Sequence, residues 1–374
     1  MTTRIAVCIG TRPEAIKMAP LYLALKDDER FDPILFSTGQ HREMLQQVFA
    51  VFGIQPDIDL EVMRPNQTLA SLTSLLIEKI SGSLQELNPA AVLVHGDTTT
   101  CFSAGIASFY QKIKIGHVEA GLRTYNFEAT WPEEMNRRLI DPISEWCFAP
   151  TESSKKHLLD ERIPPEKIYN VGNTVVNALN IAAEKTRSKT PVIPGLEKVD
   201  LSGKRIILVT GHRRESFGKP FEDFCGSLLT LADRHEDVVL IYPVHLNPKV
   251  QEPVNRIIGG HDRIHLIQPV EYVQMVYLLD QCYFIITDSG GIQEEAPSFG
   301  KPALVTRETT ERPEAVQSGA AKLVGTDPKL ILESAEKLLT SKEAYNEMVP
   351  AKNPYGDGKT SQRIADILAE SLIK

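Results

Sequence analysis

A short apolar run that stops at glycine and gives way to a helical pattern occurs near both ends of this chain, and it constrains the fold more than any other feature. In the C-terminal instance, Cys282 to Ile286 leads into Thr287-Asp288-Ser289-Gly290-Gly291-Ile292-Gln293-Glu294-Glu295-Ala296-Pro297. In the N-terminal instance, Ile5 to Ile9 leads into Gly10-Thr11-Arg12-Pro13-Glu14-Ala15-Ile16-Lys17. A strand, a glycine turn and a helix start together form the first step of a parallel β-α-β unit. The same geometry suits an anion, because glycine lets backbone amides approach closely and a helix start has unsatisfied N–H groups. Glu295 falls about one turn into its helix, within reach of ribose hydroxyls beside a diphosphate held at Gly290 and Gly291. Arg12 and Lys17 stand at a helix start, where cations are poorly placed unless an anion lies there too. An ordinary capped turn at Asp288 or Ser289, and a solvated basic pair at Arg12 and Lys17, remain open as alternatives.

Between these ends, strand-like runs alternate with longer amphipathic segments: Ile5–Ile9, Ile34–Ser37, Ala91–His95, Ile115–Val118, Trp146–Ala149 and Ile168–Val171, then Ile206–Thr210, Val238–Tyr242, Ile264–Ile267, Phe284–Thr287 and Ala303–Val305. The alternation breaks where Ser188, Thr190, Pro191, Pro194, Gly195 and Gly203 cluster, which reads as a linker. A chain of 374 residues exceeds the usual size of one core. The expected fold class is therefore α/β, with two doubly wound Rossmann-like domains facing a central cleft. The expected bounds are 1–187, a linker 188–203, 204–358 and a C-terminal segment 359–374. In such sheets ligands sit beyond the carboxyl ends of the strands.

The polar clusters fall at those ends. His95-Gly96-Asp97-Thr98 follows one strand, His117-Val118-Glu119-Ala120-Gly121-Leu122-Arg123 another, and Gly211-His212-Arg213-Arg214 a third, while Pro132-Glu133-Glu134 opens a helix. Each has a plain alternative: caps at Asp97 and Glu133, a satisfied buried carboxylate at Glu119, a surface cation run from His212. Taken together on strand ends, they point to a catalytic site.

Charge and motif content narrow the chemistry. A formal charge of -8 argues against a general nucleic-acid binder, and no apolar run approaches a bilayer span. The N-terminal residues enter a strand without a signal-peptide pattern, so a cytoplasmic protein is expected. Cys8, Cys101, Cys147, Cys225 and Cys282 lie scattered in apolar stretches, which suits buried thiols. The chain has no G-x-G-x-x-G after its first strand, no G-x-x-x-x-G-K-[ST], no H-E-x-x-H and no G-x-S-x-G. Asp57-Ile58-Asp59 has the D-x-D form of some metal-dependent sugar transferases but reads as part of a Pro-bounded loop. No cofactor and no metal is expected.

Gly10-Thr11-Arg12-Pro13-Glu14, Gln40-His41-Arg42, His95-Gly96-Asp97-Thr98-Thr99-Thr100, Gly116 to Arg123, Pro132-Glu133-Glu134, Gly211 to Glu215, Asp288 to Gly291 and Arg307 to Glu314, in that order, resemble the bacterial non-hydrolysing UDP-N-acetylglucosamine 2-epimerases. The match spans essentially the whole chain. It implies a fold like the B-type two-domain glycosyltransferases, a C-terminal helix returning to the first domain, a homodimer, and UDP-N-acetylglucosamine and UDP as ligands. By the same resemblance, Asp97, Glu119 and Glu133 correspond to the catalytic carboxylates and His212 to a histidine near the diphosphate. Arg12, Lys17 and Arg213 correspond to nucleotide-sugar contacts, and Ser289, Gly290, Gly291, Glu295 and Arg312 to the UDP site. The uracil-contacting segment corresponds to Val270 through Met275; these two residues depart from the family's Gln and Phe, so backbone contacts are the expected carry-over. Gln40, His41, Glu43, Arg213 and His245 lie in motifs resembling a second, activating substrate site. A hydrolysing epimerase, a B-type glycosyltransferase and a non-catalytic nucleotide-sugar sensor are the rival readings.

Overall fold

The computed structural model describes residues 2–40, 42–64, 66–128 and 131–373. The chain divides into two compact units, Met1–Ile181 with Tyr355–Lys374, and Ala182–Pro354.

The first unit is built on a parallel sheet of β1 (Thr3–Ile9), β2 (Phe31–Ser37), β3 (Ile58–Asp59), β4 (Ala91–His95), β5 (Lys114–Val118), β6 (Trp146–Ala149) and β7 (Ile168–Asn170). Among the described residues the strand order is β3-β2-β1-β4-β5-β6-β7, with every pair parallel. Chain progression reverses between β1 and β4, which opens a crevice beyond their carboxyl ends. Its helices begin with α1 (Arg12–Lys26), α2 (Arg42–Phe52), α3 (Leu69–Leu87), α4 (Thr99–Tyr110), α5 (Glu133–Ile140), α6 (Glu152–Asp160) and α7 (Thr174–Ser188). Ile5 through Ile9 are all buried, the signature of a strand covered on both faces, which is why it reads as an unbroken apolar run. In α3, Leu72, Leu76, Ile80 and Leu84 recur at four-residue spacing and form the buried stripe. Thr68 caps its first turn and Asn88, left-handed at φ 45°, ends it.

The boundary between the units falls inside α7. After it the chain carries turns up to Lys204, with Ile193 and Leu196 buried. The second sheet comprises β8 (Arg205–Thr210), β9 (Val238–Pro243), β10 (Ile264–Ile267), β11 (Phe284–Thr287), β12 (Ala303–Val305) and β13 (Ala321–Leu323). Its order is β10-β9-β8-β11-β12-β13, again all parallel, with the reversal between β8 and β11. Its helices are α8 (Lys219–Arg234), α9 (Pro248–Ile258), α10 (Tyr272–Gln281), α11 (Gly290–Glu295), α12 (Pro313–Gln317), α13 (Pro328–Thr340) and α14 (Lys342–Glu347). The last helix, α15 (Thr360–Leu372), belongs to the first unit. It packs on α1, and Trp146 Nε1 donates to Ser371 Oγ at 3.3 Å.

Two strands were not foreseen. Residues 57–59, expected in a loop, include β3, a two-residue edge strand too short to show alternation. Asp57 Oδ2 accepts the Leu35 N–H at 2.7 Å and Asp59 Oδ1 the Glu61 N–H at 3.2 Å, so both carboxylates serve the sheet edge. β13, three residues long, is likewise an edge strand and carries an exposed Lys322. All five cysteines are buried free thiols. No helix among the described residues is long and apolar enough to cross a membrane.

Candidate active site

In the first unit the loops after β1, β4 and β5 converge at the sheet's reversal. Gly10 ends β1 where an added Cβ would collide with Thr100 Oγ1 and Thr38 Oγ1, so the close approach of three chain segments requires glycine. Glu14 holds two of these loops together. Its Oε2 accepts the N–H groups of Gly10 and Thr11 at 3.1 and 2.7 Å, and its Oε1 accepts Thr98 Oγ1–H at 2.6 Å. Burial raises its carboxyl pKa, although Thr98, His95 and Thr11 favour the charged form.

Glu119 directly follows β5 at φ 66°, a left-handed conformation that a residue with a Cβ adopts only under constraint. The constraint is visible at its carboxylate. Oε2 meets Lys17 Nζ at 2.5 Å, Asn173 Nδ2 at 3.1 Å and His95 Nε2 at 3.4 Å, and the residue is 8% exposed. Asp97, after β4, has Arg137 Nη1 3.1 Å from Oδ2, while its carbonyl accepts Asn136 Nδ2–H at 2.8 Å. Both partners lie on α5, whose first residue is Glu133.

The adjacent glutamates of α5 have different surroundings. Glu134 is buried and accepts Thr124 N–H at 2.9 Å, Thr124 Oγ1–H at 3.0 Å and Tyr125 N–H at 3.0 Å. Glu133 is half-buried, and its carboxylate has no hydrogen bond or ion pair among the described residues. A carboxylate at a helix start is favourable in itself.

Behind these groups lies a buried polar network. His117 Nδ1 faces Asp141 Oδ1 at 2.6 Å and its Nε2 faces the Gly96 carbonyl at 2.7 Å. Arg123 donates to Asp141 Oδ2 at 2.6 Å and to both oxygens of Glu161 at 2.8 and 2.7 Å. Burial alone would raise the Asp141 pKa, but His117 and Arg123 reverse it and hold it below the usual value. The network ties the loop carrying Asp97 to the loop carrying Glu119.

In the second unit the loops after β8 and β11 meet in the same way. Asp288 Oδ2 accepts the N–H groups of His212 and Arg213 at 2.6 and 2.7 Å. The His212 and His245 rings stack at 5.0 Å and 8°. Burial lowers the His212 pKa; Asp288 opposes that shift, and His245 and Arg213 add to it. A Cβ built on Gly290 would meet nothing within 4 Å, and one on Gly291 only Ser289 Oγ at 3.9 Å. Internal packing therefore does not require glycine at either position. Gln293 ties Ser289 to the following loop, donating to its carbonyl at 3.2 Å and accepting Thr310 Oγ1–H at 2.7 Å. Glu294 pairs with Arg312 Nε, and Arg307 pairs with Glu311 at 2.8 and 3.1 Å, which brings the Glu311 pKa down to about 2 against the effect of burial.

The structure thus gathers Lys17, Asp97 and Glu119 in one unit and His212, Arg213, His245 and the Ser289 loop in the other. Arg12 is the first residue of α1, Val270 and Met275 flank the start of α10, and Glu295 ends α11; all four are half-buried. Gln40 Oε1 accepts Thr100 Oγ1–H at 3.2 Å, Glu43 is exposed on α2, and His41 lies outside the described residues. Among the described residues no group of three or more His, Cys, Asp or Glu is assembled to hold a metal ion.

A family model described as UDP-N-acetylglucosamine 2-epimerase matches residues 23–369. A UDP-N-acetylglucosamine 2-epimerase of Yersinia pestis is 51% identical over 369 residues, covering 98% of each chain. The chain belongs to the UDP-N-acetylglucosamine 2-epimerase family. A solved structure of the Neisseria meningitidis UDP-GlcNAc 2-epimerase bound to UDP-GlcNAc is 46% identical, covers 98% of this chain and 100% of its own, and superposes with a TM-score of 0.90. A glycosyltransferase structure from Rickettsia africae, 13% identical, covers 100% of this chain and 99% of its own at a TM-score of 0.62, so the epimerase shares the B-type glycosyltransferase fold.

Sequence reading alone missed the groups that hold the family's expected site residues: Glu14, Asn173, Arg137, Asp141, Glu294 and, as a loop anchor, Asp288. Glu14, Asp288 and Glu294 lay inside quoted motifs. Asp141, Arg137 and Asn173 had no local signal.

Proposed function

We propose that the protein interconverts UDP-N-acetylglucosamine and UDP-N-acetylmannosamine without net hydrolysis. The C2 proton of the sugar is not next to a carbonyl carbon, so a base cannot remove it as in enolate chemistry. Elimination avoids the difficulty. As the C1–O bond breaks, its electron pair leaves with UDP and positive charge at C1 acidifies the C2 proton. The C2–H pair becomes the C1=C2 bond of 2-acetamidoglucal. Re-addition of UDP with protonation on the opposite face of C2 yields the epimer.

The observation that carries this reading is three carboxylates, Asp97, Glu119 and Glu133, at two strand ends and one helix start of the same unit. Inversion at C2 needs proton-transfer groups for two faces, and a glycosyl transfer or a sensor does not. The second unit offers the leaving-group side: the Gly290–Gly291 backbone and Ser289 for the diphosphate, Glu295 and Arg312 for the rest of UDP, backbone between Val270 and Met275 for uracil, and His212 to favour its departure. Arg12, Lys17 and Arg213 complete the contacts to the nucleotide sugar.

The enzyme acts in the cytoplasm as a homodimer in this reading, supplying cell-surface polysaccharide synthesis. Support for a second copy comes from α4 and α5, which pack together yet leave Phe109, Tyr110, Met135 and Leu139 exposed by 53, 71, 40 and 47%. Gln40, His41, Glu43, Arg213 and His245 are the groups to test for activation by a second substrate molecule.

Incubation with UDP-N-acetylglucosamine in deuterated water tests the whole scheme. Both UDP-hexosamines should carry deuterium at C2. Release of free N-acetylmannosamine would favour a hydrolysing enzyme, and retention of the C2 hydrogen in the epimer would sink the elimination.

A further inference from the structure

Asp288 leaves β11 beside the loop that leaves β8, and it is 2% exposed. Its Oδ2 accepts two backbone N–H groups, from His212 and Arg213, and so sets where the imidazole's own backbone sits. Its Oδ1 accepts no hydrogen bond among the described residues and lies 3.5 Å from His212 Nδ1. A buried carboxylate oxygen without a donor is costly, and a small rotation of the imidazole supplies one.

The rest of the surroundings agree. His245 stacks on His212, and its own Nδ1 accepts the Asn247 N–H at 3.1 Å, so that nitrogen carries no proton. Among the described residues, His212 has a carboxylate oxygen in ion-pair range of its Nδ1 and His245 has none.

We propose that Asp288 is a positioning residue for His212: it fixes the loop through two backbone N–H groups and receives the Nδ1–H of the protonated ring, so that the imidazolium offers its Nε2–H to the departing diphosphate. This rests on the assignment of His212 to the diphosphate. Among the described residues, the charged and titratable groups acting on the ring are Asp288, His245 and Arg213. Burial opposes the charged imidazole most, Asp288 favours it, and His245 and Arg213 oppose it.

Asp288→Asn tests the proposal because it keeps an oxygen for the two N–H groups and removes the charge. Turnover should fall about tenfold at pH 8 and less near pH 6, with the alkaline limb of the kcat profile moving down by about one pH unit. UDP affinity and melting temperature should change little. In a His212→Asn background the same substitution should cost less than about twofold, because the two residues act as one unit. Long-range proton–nitrogen correlation spectra of the histidine-labelled enzyme, recorded just on the acid side of the parent's alkaline limb, should report both ring N–H groups at His212 in the parent protein and loss of Nδ1–H in Asp288→Asn. A pH-independent loss that adds fully to that of His212→Asn would overturn the proposal and leave Asp288 a loop anchor. An unprotonated Nδ1 in the parent would overturn it even if the Asn variant folds poorly. Full activity of His212→Asn would instead remove His212 from the diphosphate, while the spectra still judge its contact with Asp288.

Discussion

Lys17 Nζ lies 2.5 Å from Glu119 Oε2 and joins the second turn of α1 to the residue that follows β5. The side chains are 12 and 8% exposed. Such a pair is worth little as a pair but costs much to break on one side, because the remaining charge is left in a poor environment. Lys17→Met should therefore destabilise the protein by about 3–5 kcal/mol in unfolding experiments and lower turnover. If the two residues act as a unit, adding Lys17→Met to Glu119→Gln should cost little more turnover than Glu119→Gln alone; full additivity would separate their roles.

Asp97→Asn, Glu119→Gln and Glu133→Gln should each lower turnover by about 10²–10⁴-fold, as loss of a proton-transfer group does. UDP affinity should stay near that of the parent. Because Glu119→Gln strands the charge of Lys17, it should also lower the melting temperature, so turnover decides: near-normal rates in all three variants, as caps or structural carboxylates would give, defeat the assignment.

Arg312→Ala and Glu295→Ala should weaken UDP binding by about 1.5–3 kcal/mol each, the range for a hydrogen bond to a charged partner. Calorimetry reads that directly. Glu294→Gln should weaken UDP by less, since it removes only the charge that holds the Arg312 guanidinium. Unchanged UDP affinity in both alanine variants takes Arg312 and Glu295 out of the site.

Glu311 predicts an acid-sensitive part of the stability. Its pKa falls from the ordinary 4.5 to about 2 in the folded protein because the Arg307 pair outweighs burial. A depressed carboxyl pKa stabilises the fold above the unfolded value, and that contribution fades as pH falls through the folded one. Glu311→Gln should thus lower the melting temperature at pH 7, with the difference from the parent shrinking as pH drops below about 4.5. A difference constant from pH 7 to pH 3 would show that the pair contributes nothing.

Parallel strands covered on both faces appear in sequence as continuous apolar runs, and this is why Ala91–His95, Trp146–Ala149, Phe284–Thr287 and Ala303–Val305 could be delimited to the residue. The strand-end clusters were legible for a related reason: a turn into a helix needs glycine, caps and charges within a few positions of the apolar run. β3 and β13 were not legible, because these short edge strands are only partly buried and show no apolar run, unlike β12, which is as short as β13 but fully buried.

Folding supplied the partners. Glu119 meets Asn173 across 54 residues of chain, Glu14 meets Thr98 across 84, and Asp288 meets the His212 N–H across 76. Nothing local marks such pairs, since a polar side chain far along the chain has no reason to be where it is until burial demands a donor for each acceptor. Residue type and position along a strand were enough to nominate Asp97, Glu119, Glu133 and His212 and to indicate the family's fold. Which cation faces which carboxylate, which glutamate of Glu133 and Glu134 is tied down, and which carboxylate anchors the His212 loop all depend on distances between segments that share no local sequence, and those distances exist only once the sheets have assembled.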